Sequence, residues 1–150
     1  MNYSTPDLTQ HPPRSARTQL GGYVILPRML DKCRATIAGK NGEYHFACPL
    51  DQRFLQFAGV DPEKLKAEAT KGATDTEILA WIQANAAHKR GDWEIAQWSA
   101  LQHQWVPADN ESREFFNGIA TGAKAAHRAD IRGFFDVLDV DDYATFGGKP

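Results

Sequence analysis

Apolar residues recur at three- and four-residue intervals along most of the chain beyond residue 26, the pattern of helices with one buried stripe. Leu26, Leu30, Cys33 and Ile37 form the first stripe. Pro27 suits its first turn, where a missing N–H costs nothing. Arg28, Asp31, Lys32 and Ala35 fall on the opposite face, and Gly39 predicts the stop. Leu50, Phe54 and Phe57 mark a second helix that ends at Gly59, and Asp61-Pro62 starts a third carrying Leu65 and Ala69. Thr74 and Glu77 fit a capping box ahead of Ile78, Leu79, Trp81 and Ile82. After Gly91, the residues Trp98, Leu101 and Trp105 share a face. Asp109 caps a helix with Phe115, Phe116, Ile119 and Ala123 inward, and Asp130 caps a last one with Ile131, Phe134, Phe135 and Leu138. Gly118 and Gly122 lie four apart on the helix after Asp109 and predict a close helix crossing, which would offset their poor helix propensity. The fold class is therefore all-α, a bundle of about six to seven short helices. Tyr44 to Ala47 reads as extended and pairs in this reading with Tyr23 to Ile25 as one tiny two-strand fragment.

Residues 1–19 are rich in Pro, Ser, Thr and Gln and read as an N-terminal arm. Residues 20–146 form a single helical domain, divisible into lobes 20–90 and 92–146, followed by a tail at 147–150. The chain has 150 residues, 42 % of them hydrophobic, which is enough for a core. The net charge of −2 gives no long-range attraction to nucleic acid or anionic lipid. No apolar run reaches the length of a membrane span, and the first residues lack the apolar centre of a secretory signal. Two cysteines make no disulfide framework, so a cytoplasmic location is expected.

Several motifs carry a resemblance. They are Leu20-Gly21-Gly22-Tyr23, Pro27 through Arg34, Gly42-Glu43-Tyr44, Cys48-Pro49-Leu50-Asp51 and Asp75 through Ile82, with Arg128-Ala129-Asp130 and Phe134 through Asp139 near the far end. Together they resemble the family called domain of unknown function 5069, over most of the chain beyond the arm. The resemblance implies no reaction, and no catalytic residue carries over.

Candidate chemistry concentrates between residues 20 and 61. His45 and Cys48 have ligand-like spacing, but with Cys33 they supply only three donors, and Cys33 sits on an apolar stripe. No metal and no cofactor are expected. Cys48 precedes Pro49 at a helix start, and with His45 it makes the candidate catalytic pair. Arg28, Asp31, Asp51 and Arg53 are the candidate ligand- or partner-binding residues, read as one charged rim formed when two short-linked helices pack side by side. A rim of both signs suits a zwitterionic ligand or a polar protein surface. The four tryptophans, Trp81, Trp93, Trp98 and Trp105, are interleaved mainly with Glu94, Gln97, Gln102 and Gln104, with Lys89-Arg90 as one small basic spot, which disfavours nucleic acid. Asp136, Asp139, Asp141 and Asp142 lack the glycine and glutamate of a calcium loop and read as a solvated helix end. The leading reading is a non-catalytic module that binds a small molecule or a protein. The alternative is a small enzyme that uses Cys48 and His45.

Overall fold

Helix starts and stops fall where turn chemistry and caps dictate. The computed structural model describes residues 3–150, and among these it has seven α-helices and no sheet. They are α1 (Leu26–Ile37), α2 (Pro49–Ala58), α3 (Pro62–Thr70), α4 (Asp75–Asn85), α5 (Asp92–His103), α6 (Asn110–Gly122) and α7 (Phe134–Thr145). Asp61 accepts hydrogen bonds from the amides of Glu63 and Lys64 at the start of α3. Thr74 and Glu77 cap α4 reciprocally, and Asp109 caps α6 by accepting from the Ser112 amide at 2.7 Å. Gly59 ends α2 with φ 68°, and a Cβ there would lie 2.7 Å from His88, so both backbone and space demand glycine.

Helix α1 is the centre of the fold. It packs on α2 and α3, and α3 packs on α4, around one large apolar cluster that includes Val24, Leu30, Phe54, Leu65, Ile78 and Phe135. Helices α6 and α7 close a second, smaller cluster around Phe116, Ala120, Phe134 and Val137. Adjacent residues at the head of α7 enter different clusters, Phe134 the second and Phe135 the first, and Trp105 packs against both. Among the described residues no helix is long and apolar enough to cross a membrane.

Several expectations are corrected. Tyr44–Ala47 does not pair with Tyr23–Ile25; the bridge runs from Leu20 to Tyr23 across a two-glycine turn. In α5 the buried positions are Ile95, Ser99 and Gln102, while Leu101 is 62 % exposed. Ser99 and Gln102 are buried because they are used. The Ser99 hydroxyl donates to the Gly22 carbonyl at 2.6 Å and accepts from the Val24 amide, and the Gln102 side chain accepts from Arg53. Trp98 and Trp105 are half-buried at the edges of the clusters, and Trp93 is exposed. Phe115 is exposed as well, leaving Phe116, Ala120 and Ala123, with Ile119 partly buried beside them, as the inner face at that end of the chain. Gly118 and Gly122 face open space, so no helix crosses there. The final helix starts at Phe134 and not at Asp130, because Asp136 reaches back to the amide of Gly133 at 2.8 Å.

The largest departure concerns the polar face of α1. Arg28, Asp31, Lys32 and Arg34 are all buried. The segment 3–19 has no helix, yet Leu8 and Ala16 are buried and Arg14 is anchored on α1. Arg14 grips Asp31 through its amide and guanidinium and also bonds Asp75 at 2.6 Å; Arg34 takes the other oxygen of Asp75. Arg17 binds Asp136 and Asp139 of α7. The charges of α1 tolerate burial because each finds an opposite partner from another element.

Candidate functional site

A cleft of about 340 Å³ opens where the two apolar clusters meet. Its walls are Leu50, Trp105, Phe115, Phe134 and Leu138, and its floor is Arg28 and Lys32 of α1. Tyr44, His45 and Cys48 enter from the α1–α2 loop, and Asp141 and Thr145 from α7. The volume and the mix of aromatic walls with a few polar groups suit a small-molecule site. A larger groove of about 580 Å³ runs beside Gly21, Gly22 and α5, but it is lined by no buried ionic group. The mixed-charge cleft is therefore the better candidate.

Two ion pairs support the floor. Arg28 forms a bidentate pair with Asp142 of α7 at 2.6 and 3.0 Å, and the Tyr44 hydroxyl donates to the same carboxylate at 2.9 Å. Burial opposes the charge on Arg28, but Asp142 outweighs it and holds the guanidinium above its ordinary value. Burial and the Asp142 charge push the Tyr44 phenol up. Asp141 is raised too, by burial and by neighbouring Asp142.

The second pair is Lys32 with Asp51, 2.8 Å apart and both almost inaccessible. Neither Asp51 oxygen has a hydrogen bond of good geometry, so its contact with Lys32 is ionic. Burial pushes the Asp51 carboxyl up, against the pull of Lys32. The Lys32 ammonium also donates to Cys48 Sγ at 3.1 Å. The cysteine is the N-cap residue of α2, and its side chain makes no capping bond. It follows Ala47, which has φ 58° and whose carbonyl accepts from the Gln52 side-chain amide.

The sequence candidates are distributed as follows. Cys48 and His45 line the same cleft, but Cys48 takes its hydrogen bond from Lys32, and His45 is exposed at the mouth. Arg28 is in the floor. Asp51 lies against Lys32, and Arg53 stacks over Trp105 at 3.9 Å. Asp31 is elsewhere, fully covered and clamped by Arg14. The four charges thus do not form an exposed rim. The sequence pattern places Lys32 only on the polar face of its helix and reads Asp142 as part of a solvated helix end, yet both are buried. No local signal marks their burial, since both partners come from distant elements. Cys33 is buried in the core, with its thiol pushed up to about 12 by desolvation. Among the described residues, no group of three or more His, Cys, Asp or Glu is placed to hold a metal ion.

Fold and cleft together define a helical protein with an apolar cleft over internally neutralised ion pairs. The chain belongs to the family described as domain of unknown function DUF5069, whose model matches residues 10–144. That agrees with the resemblance read from the motifs. No curated protein matches the chain.

Proposed function

We propose that this protein binds a small amphipathic molecule in the cleft between its two apolar clusters. The observation that supports this most is the contrast between the walls and the floor. Trp105, Phe115, Phe134 and Leu138 offer an apolar enclosure, while the ionic groups beneath are already paired within the protein. Arg28 and Lys32 are neutralised by Asp142 and Asp51, so Glu43 and Asp141 leave the lining with an excess of negative charge. A ligand with no net charge and a hydrogen-bond acceptor at one end suits that lining better than a polyanion. Lys32 has three N–H donors; one goes to Cys48 and the ammonium faces Asp51 in an ionic contact, which leaves donor capacity for such an acceptor. A bound apolar body would also cover Phe115, which is 64 % exposed. Two free thiols fit a reducing, cytoplasmic setting.

The test uses the neutral probe N-phenyl-1-naphthylamine, read by its own fluorescence and by energy transfer from tryptophan. Saturable binding of one probe per chain is expected, abolished by Thr145→Trp, which fills the mouth from the exposed last turn of α7. Binding that is absent, or unchanged in Thr145→Trp, rejects this cleft as the site.

A further inference from the structure

We propose that Cys48, Lys32 and Asp51 form a nucleophilic relay, and that the cleft accepts a neutral activated acyl compound, an ester or thioester, whose acyl group passes to Cys48 Sγ. This rests on the cleft being the ligand site. The geometry is that of an activated nucleophile: the thiol sulfur lies 3.1 Å from a basic group, and that group lies 2.8 Å from a buried third residue. Lys32 fills the place a histidine holds in the familiar triads, and lysine serves as base in some of their variants.

Asp51 is the buried third member of the relay. It is 0 % exposed, and neither carboxylate oxygen has a hydrogen bond of good geometry. A buried carboxylate without such bonds is costly unless a cation is held against it, and Lys32 at 2.8 Å is that cation. Burial also raises its affinity for protons. Cys48 completes the arrangement. It is half-buried, reached from the cleft and placed at the start of α2, where its side chain makes no capping bond.

The chemistry balances without any co-reactant except water. Lys32 gives one proton to Asp51 and takes the thiol proton of Cys48, which leaves a thiolate, an ammonium and a carboxylic acid. The thiolate attacks the acyl carbon, the C–S bond forms, and the carbonyl pair moves to oxygen. Collapse breaks the bond to the leaving group, which takes a proton from Lys32; Lys32 recovers one from Asp51. Water then adds to the S-acyl carbon with its proton taken by the Lys32–Asp51 pair. The C–S bond breaks, the free acid leaves and the proton returns to sulfur. Cys48 and Lys32 are the catalytic residues in this scheme, and Asp51 is a positioning residue that acts through Lys32.

The experiment uses the full chain and p-nitrophenyl butyrate. The expected result is a burst of one nitrophenolate per chain, with one butyryl group located on the Cys48 peptide by mass spectrometry. Cys48→Ser should lose the adduct. Lys32→Met alone leaves Asp51 buried without a cation and is prone to unfold, so Lys32→Met/Asp51→Leu, which removes both charges, is the informative variant. It should fold and acylate roughly 10²-fold more slowly, the usual share of a general base. Asp51→Asn should shift the pH profile of Cys48 alkylation by iodoacetamide, which a purely structural role would leave in place. Probe binding without a butyryl adduct on Cys48 overturns the relay and leaves the binding reading intact. An adduct formed equally fast in the double variant also overturns the relay. Absence of probe binding removes the ligand site and the relay with it.

Discussion

Arg28→Met tests whether a buried ion pair, and not a surface charge, joins α1 to α7. Arg28 is 3 % exposed and Asp142 6 %, and their two hydrogen bonds cross between the apolar clusters. Removing the guanidinium leaves a carboxylate inside the protein with the Tyr44 hydroxyl as its remaining side-chain donor. Breaking one side of such a pair costs about 3–5 kcal/mol. The Tyr44 bond persists, so the lower end, about 3 kcal/mol, is expected. With a urea slope of about 1.5 kcal/mol/M, the unfolding midpoint should fall by about 2 M. The double variant Arg28→Met/Asp142→Leu removes both charges and should recover most of the loss, less about 1 kcal/mol for the orphaned Tyr44 hydroxyl. Arg53→Ala gives the contrast. Arg53 is half-buried, stacked on Trp105 and bonded to Gln102, with no carboxylate to strand, so about 1–2 kcal/mol is expected. A single Arg28→Met variant within about 0.5 kcal/mol of wild type, typical of surface changes, would refute the reasoning. So would a double variant no more stable than the single one.

Two further outcomes follow from backbone and charge. Gly118→Ala fills open space on α6 and should stabilise by about 0.5–1 kcal/mol, whereas Gly59→Ala forces a Cβ against His88 at a left-handed position and should destabilise by more than that; thermal melts giving both the same sign would contradict the geometry. For pH, burial tends to raise the Asp75 carboxyl, but the guanidinium bonds from Arg14 and Arg34 outweigh it and hold the group below its usual value. Its contribution is therefore complete above the unfolded value of about 3.9 and disappears as pH falls through the lower folded value, so Asp75→Asn should flatten the acid limb of stability below about pH 4. The raised Asp51 has the opposite sign, with stability falling as pH climbs from about 4 through its folded value. Urea titrations of wild type and Asp75→Asn that show the same acid slope would exclude this role for Asp75.

Neighbours along the chain are enough to set the local elements. Pro27, Asp61, Thr74 with Glu77, Asp109 and Gly59 mark helix ends by local chemistry, and these ends appear where they were read. Of the stripe, Leu26, Leu30 and Cys33 are buried for the same reason, since spacing along a helix settles which side chains share a face, while Ile37 at the helix end is 38 % exposed. Tertiary structure decided the rest. Whether Arg28, Asp31 and Lys32 meet water depends on Asp142, Arg14 and Asp51, and two of these partners lie on other helices while Arg14 lies in the non-helical N-terminal segment. Charge alone reads the same on a solvated face as in a paired interior; only the partner's position separates them. The periodicity of α5 is equally ambiguous, because Ser99 and Gln102 are buried through bonds to Gly22, Val24 and Arg53 that no pattern announces. The site follows the same rule. Cys48 was legible as a residue at a helix start, but its pairing with Lys32 in place of His45 depends on how α1 and α2 pack, and packing is a property of the whole fold.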